Sequence, residues 1–203
     1  MRRAARTARW ALVVARRAFA AARVLPPRIA FFYVRALLSA TFRRDEWTLV
    51  SATRPADLAK LLELADGRAK VAEIGSGPGW SALALALADP SRRVVSFDVD
   101  ERPVNTYARL VPASVRQRVQ FVLASGAEGA SDAPNADFVF IDSSHEYAET
   151  LETFAAWRPK LLPGAMVVFH DYGNPQYPGV AEAVAELGLD GTVDGEVFVW
   201  ISD

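Results

Sequence analysis

Val71-Ala72-Glu73-Ile74-Gly75-Ser76-Gly77-Pro78-Gly79-Trp80-Ser81 decides the fold. It reads as a buried strand, a glycine-rich turn and the start of a helix. Glycine at 75, 77 and 79 lets the backbone take positive φ and brings a ligand close to bare main chain. The first turn of the helix beyond offers N–H groups with no partner inside the helix. Any doubly wound α/β protein can carry such a loop, so the rest of the chain must identify its ligand.

Working outward, strand and helix alternate. Lys70–Ile74 leads to a helix over Gly79–Ala88, and Arg93–Asp98 to one over Glu101–Leu110. Strand Val119–Leu123 is followed by a Gly/Ala/Ser/Asp/Pro loop with little room for a helix. Asp137–Ile141 leads to a helix over His145–Trp157, and Ala165–Phe169 to one over Tyr177–Leu187. Gly191–Val193 and Glu196–Ile201 read as a hairpin about Asp194-Gly195. Upstream, a polar-capped segment runs from Thr48, with Pro55 near a helix start. Its apolar face of Leu58, Leu61, Leu62 and Ala65 stops at Asp66-Gly67. Five continuous apolar strands alternating with helices predict a parallel sheet covered on both faces.

The chain holds 203 residues, about one domain, with half of them apolar and no cysteine. That excludes disulfides, cysteine-bound zinc and a cysteine nucleophile, and it suits a cytoplasmic protein. The net charge of −1 conceals a split. Residues 1–44 carry eleven Arg and no acid, whereas residues 45–203 carry 12 Lys/Arg against 24 acids. The acidic body argues against nucleic acid as a partner. The two stretches read as an Arg/Ala-rich helical extension, 1–44, and an α/β domain, 45–203.

In the extension, Ala4, Ala8, Ala11, Ala15, Ala18 and Ala22 recur at helical spacing, and Arg2, Arg9, Arg16 and Arg23 lie a heptad apart. Pro26-Pro27 ends this helix, and Ile29, Phe32, Tyr33, Ala36 and Leu37 mark the face of a second. Three roles stay open for it: docking on its own domain or a second copy in a homodimer, lying peripherally on an anionic membrane, or none. No apolar run reaches the ~20 residues of a membrane span, and Arg16-Arg17 interrupt the only stretch resembling a signal peptide.

In parallel sheets ligands sit beyond the carboxyl ends of the strands, and the polar residues of interest fall there. Asp98 ends the second strand about twenty residues past the glycine loop, either where an acid accepts hydrogen bonds from both hydroxyls of a ribose or as a solvated strand-end acid. Ser125 follows the third strand, either against an adenine edge or as part of a loop. The only two histidines flank the next two strand ends, in Asp142-Ser143-Ser144-His145 and His170-Asp171. Two converging carboxylates without sulfur suit a hard cation such as Mg²⁺. His170 is a third ligand or packs against the sheet; His145 is a base beside the metal or simply opens a helix.

Glu73–Ser81 with Asp98 after it resembles the cofactor signature of class I S-adenosylmethionine-dependent methyltransferases. Phe140–Tyr147, Trp157–Tyr172 and Pro178-Gly179-Val180 are similar to a bacterial subgroup that includes macrocin O-methyltransferase-like and cephalosporin hydroxylase-like proteins. The resemblance covers roughly Leu49 to Ile201. It implies a Rossmann-like seven-stranded sheet, mostly parallel with a C-terminal antiparallel hairpin. It implies S-adenosylmethionine at Glu73, Gly75, Ser76, Gly77, Gly79, Ser81, Asp98, Ser125 and Asp142. It also implies a divalent metal, Mg²⁺ or similar, at Asp142, His170 and Asp171, with His145 as general base toward a hydroxylated small-molecule acceptor. His170 stands where relatives often carry an acid.

Overall fold

The computed structural model describes residues 2–203, with side chains from Trp10 onward, so Ala4, Ala8, Arg2 and Arg9 lie outside the described side chains. Helices α1 (Arg2–Val24), α2 (Pro27–Arg43), α3 (Glu46–Ser51) and α4 (Pro55–Leu64) precede the sheet. Then come β1 (Lys70–Ile74), α5 (Trp80–Ala88), β2 (Arg93–Asp98), α6 (Val104–Ala108), α7 (Ala113–Arg116), β3 (Val119–Leu123), α8 (Gly126–Ala130), β4 (Ala136–Ile141) and α9 (Tyr147–Trp157). The chain closes with β5 (Leu161–Phe169), α10 (Pro178–Glu186), β6 (Thr192–Asp194) and β7 (Val197–Ile201). The seven strands lie in the order β3-β2-β1-β4-β5-β7-β6. β1 to β5 are parallel, whereas β7 runs antiparallel to both β5 and β6. The strand pattern predicts the parallel part of this sheet, and the whole is the Rossmann-like seven-stranded sheet that the resemblance implies.

Local chemistry explains the elements. Asp137 accepts hydrogen bonds from the Ala69 and Lys70 amides at 3.0 and 2.8 Å, pinning the entry of β1 against β4. Asp45 caps α3 through the Thr48 amide and hydroxyl at 3.0 and 2.7 Å. The segment from Thr48 is therefore two helices, with Pro55 opening the second. The loop expected after β3 contains the short helix α8, because Ser125 and Glu128 form a reciprocal capping box. Its glycines make the fit possible: a Cβ at Gly126 or Gly129 would overlap Ile74 or Phe97. The helix expected over Glu101–Leu110 shortens to Val104–Ala108, and α9 opens at Tyr147 rather than His145.

Two cores flank the sheet. On one side Phe97, Phe154, Trp157 and Phe169 pack among α8, α9 and α10. On the other, α5 is buried throughout from Trp80 to Ala86. A helix with no polar face must be covered twice, once by the sheet and once from outside. α2 supplies the outer cover, burying Ile29, Phe32, Tyr33, Ala36, Leu37 and Ala40 in the same core, while α1 packs on α2 and α4. Trp80 sits at this junction, edge-on to Tyr33 and Tyr107 at 5.2 and 5.4 Å. It belongs to the core, although its place in the loop makes it look like a lining residue.

Candidate functional site

The glycine loop is shaped by two backbones approaching each other. The Gly75 and Ser76 amides both donate to the Phe97 carbonyl, at 2.8 and 2.9 Å, and the Asp142 amide donates to the Ile74 carbonyl at 2.8 Å. This draws the ends of β1, β2 and β4 together. Gly75, at φ 100°, lies so close to β4 that an added Cβ would meet the Asp142 carbonyl oxygen at 1.9 Å. Only glycine fits there. The Gly77 amide donates to Asp98 Oδ2 at 3.0 Å, locking the acid to the loop. Arg102 Nε donates to the other carboxylate oxygen at 3.0 Å, and its guanidinium lies 4.6 Å from the ring centre of Trp47.

A cleft of about 300 Å³ opens at these strand ends. Gly75, Gly77, Asp98, Ser125, Asp142 and Glu149 line it. The volume is at the lower end of small-ligand sites, and the lining combines bare backbone, a fixed acid and apolar strand ends. A larger hollow of about 480 Å³ lies over β3 and α6; it shares Ser76 and Asp98 with the loop region but is not lined by Gly75, Gly77 or Asp142. The smaller cleft is the one that joins the predicted residues.

Glu73, Ser76 and Ser81 lie beneath the loop, all buried. Ser96 donates to Glu73 Oε2 and contacts the Ser76 hydroxyl at 2.7 Å, forming a chain of polar groups under the glycines. Burial pushes the Glu73 carboxyl up to about 7, and the nearby Ser81 and Ser96 hydroxyls offset only part of that. Glu73 Oε1 has no well-formed hydrogen bond among the described residues. The Ser125 hydroxyl is engaged with Glu128 at the start of α8, so it meets the cleft as part of a cap.

Beside the cleft, four side chains converge. His145 Nε2 lies 2.8 Å from Asp171 Oδ2 and 3.2 Å from Asp142 Oδ1. His170 Nδ1 lies 3.0 Å from Asp142 Oδ1 and 3.1 Å from Asp171 Oδ2. One donor atom from each falls within 4.8 Å of the others. His145 and Asp171 both hold positive φ, 63° and 56°, a backbone cost that locates strain at this cluster. Burial disfavours the charge on all four groups, yet their mutual attraction and hydrogen bonds prevail. The Asp142 carboxyl falls to about 2 and that of Asp171 well below the usual carboxylate range, while His145 rises to about 9 and His170 to about 11.

Several supporting residues were not evident in the sequence. Tyr177 stacks on the His145 ring at 4.4 Å with 24° between planes, and Asn174 donates to Asp171 Oδ1 at 2.7 Å. Gly179 allows α10 to approach the 145–147 backbone, since a Cβ there would meet the Tyr147 nitrogen at 2.5 Å. Asp57, half-buried in the first turn of α4, has its carboxyl raised by burial and feels the charges of His170 and Asp142. Gly179 had a signal in Pro178-Gly179-Val180. The others are ordinary polar or aromatic residues with none.

The donor set is two carboxylate oxygens and two imidazole nitrogens on rigid strand ends. It fits a divalent cation, and the nitrogens favour an ion of the Mn²⁺ or Zn²⁺ kind over Mg²⁺, which prefers oxygen alone. The glycine cradle with Asp98 fits a ribose-bearing ligand whose remainder passes over bare backbone.

Residues 72–172 match the family model of a methyltransferase domain. Methyltransferase ptaI of Pestalotiopsis fici is 29% identical over 118 residues, which cover 55% of this chain and 34% of that protein. The match thus spans about a third of the curated relative. An O-methyltransferase from Bacillus cereus, solved in complex with SAH, superposes with a TM-score of 0.65 at 16% identity, covering 89% of this chain and 94% of that one. The O-methyltransferase TomG from Streptomyces achromogenes, involved in tomaymycin synthesis and solved with SAM, gives 0.63 at 18% identity over 83% and 89%. At these identities the structures establish the shared fold.

Proposed function

We propose that this chain, whose residues 72–172 match a methyltransferase domain, is a class I S-adenosylmethionine-dependent methyltransferase that methylates a hydroxyl oxygen of a small molecule with the help of a divalent cation. The observation that carries this reading is the junction at Asp142, which borders the glycine cleft and also belongs to the His/Asp cluster. Cofactor and acceptor chemistry therefore meet at one strand end. The acidic charge of residues 45–203 supports a small acceptor over a polyanion.

Bound S-adenosylmethionine supplies a reactive methyl sulfonium. Asp142, His170 and Asp171 would hold a divalent cation, which would supply Lewis acidity toward an acceptor hydroxyl and would offset the carboxylate charge that raises His145. The chain's own task is alignment and proton removal. Asp98, held by Gly77 and Arg102, orients the ribose end. Tyr177 fixes the His145 ring by stacking, leaving Nε2 directed at the cluster, where it accepts the hydroxyl proton. Asn174 keeps Asp171 oriented. Asp57, at the start of α4, feels the charges of His170 and Asp142.

The test is formation of S-adenosylhomocysteine with a panel of phenolic, sugar and polyketide-type hydroxyl acceptors. Turnover should stop after EDTA treatment and return with Mn²⁺ more readily than with Mg²⁺. Turnover unchanged by EDTA would remove the metal from the proposal, and methylation confined to nitrogen acceptors would remove the hydroxyl.

A further inference from the structure

The outward faces of α1 and α2 serve neither the core nor the cleft. Along α1, Leu12, Arg16, Phe19 and Arg23 share one exposed face; along α2, Phe31, Arg35, Leu38 and Phe42 do the same. The spacing in each is i, i+4, i+7, i+11, a straight stripe down a helix. α1 packs on α2 and α4, and α2 on α5, which leaves both stripes exposed, with Phe31 and Arg35 at the rim where α2 meets Leu110 and Arg118. Phe42 is 91% exposed, nearly as bare as in an unfolded chain, and Trp47 and Val50 of α3 extend the apolar surface. The Arg23 and Arg35 guanidiniums lie 5.5 and 5.4 Å from the ring centres of Phe19 and Phe31. Arg35 also donates to the Leu110 carbonyl at 3.1 Å. No acid occurs before Asp45.

Two properties together select the occupant. Exposed Phe and Leu in line call for an apolar partner, and unrelieved positive charge calls for an anionic one. A second copy docking the same patch would set Arg16 and Arg23 of one copy against those of the other, with acids only at the α3 edge of the patch, and docking on the acidic body instead would not close. An anionic bilayer satisfies both demands: Arg heads lie among phosphates while their stems and the Phe rings enter the acyl boundary. Among the described residues no helix is long and apolar enough to cross a membrane, so the pair lies in the interface plane. We propose that the α1–α2 face docks this enzyme on an anionic lipid surface, independently of the methyl-transfer reading.

The full chain is sedimented with extruded vesicles of phosphatidylcholine alone or mixed in equal parts with phosphatidylglycerol. It should pellet with the mixed vesicles, remain in solution with the neutral ones, and release in high salt. Arg16→Gln and Arg43→Gln should each weaken partitioning about fivefold, and Phe42→Ser about tenfold, with S-adenosylmethionine binding unchanged as the check on folding. Wild-type protein left in the supernatant with anionic vesicles overturns the proposal. So do equal binding to both vesicles and a Phe42→Ser variant that turns a stable dimer into monomer without affecting vesicle binding.

Discussion

Replacing Gly75 by alanine is the sharpest perturbation of this molecule. The new Cβ would stand 1.9 Å from the Asp142 carbonyl oxygen and 2.6 Å from its carbon. Neither backbone can simply yield, because the Gly75 amide is tied to Phe97 and the Asp142 amide to Ile74, both at 2.8 Å. A φ of 100° costs a non-glycine residue about 1–3 kcal/mol. Overpacking costs about 1–3 kcal/mol more. The sum, about 2–6 kcal/mol, is a large part of the ~5–15 kcal/mol that holds a typical domain folded. Gly77→Ala is the internal control: its φ is 49°, nothing lies within 4 Å, and only the left-handed cost of about 1–2 kcal/mol applies. Urea unfolding at constant m reads both. Gly75→Ala should show the lower midpoint by a clear margin, together with lost S-adenosylmethionine binding in calorimetry. Equal midpoints for the two variants would refute the close-approach argument.

Other predictions follow from the same geometry. Burial raises Glu73 from 4.5 to about 7, so ionising it costs the native state, and that stability is lost as pH rises from about 4.5 to about 7. The unfolding free energy of Glu73→Gln relative to wild type should therefore climb by about 2.5 kcal/mol between pH 5 and pH 8, and a flat difference contradicts the buried-charge reading. Asp98→Asn loses charge-assisted bonds worth about 1.5–3 kcal/mol and should weaken S-adenosylmethionine about ten- to hundredfold in calorimetry; a change below about threefold sinks its ribose role. His145→Ala should lower kcat by about a hundredfold or more while cofactor affinity stays put. Tyr177→Ala should lower kcat with little effect on cofactor affinity, since it removes a stack worth about 0.5–1.5 kcal/mol; weakened cofactor binding instead would place Tyr177 in the wrong subsite.

Legibility in the sequence followed the range of the forces. Strand and helix alternation, the glycine turn and the strand-end position of Asp98, Asp142, His145, His170 and Asp171 are local signals, and each of these residues stands at the sheet edge. Ser125 looked like a ligand-facing hydroxyl because its partner Glu128 is visible only once α8 is recognised. Trp80 is core because Tyr33, 47 positions earlier, closes over it, a contact no local pattern shows.

By itself the sequence determined that a glycine-rich turn follows the first strand, which residues end strands, and that residues 1–44 differ in charge from everything after them. These are properties of φ preference, periodicity and charge that a short stretch carries alone. The tertiary structure decided that His145 meets Asp171, 26 positions away, that Tyr177 stacks on it, and that Gly75 must be bare because β4 passes beside it. It also decided which face of α2 covers α5 and which faces outward. Those outcomes depend on how parallel crossovers close and how helices layer, where packing between distant elements outweighs any local preference.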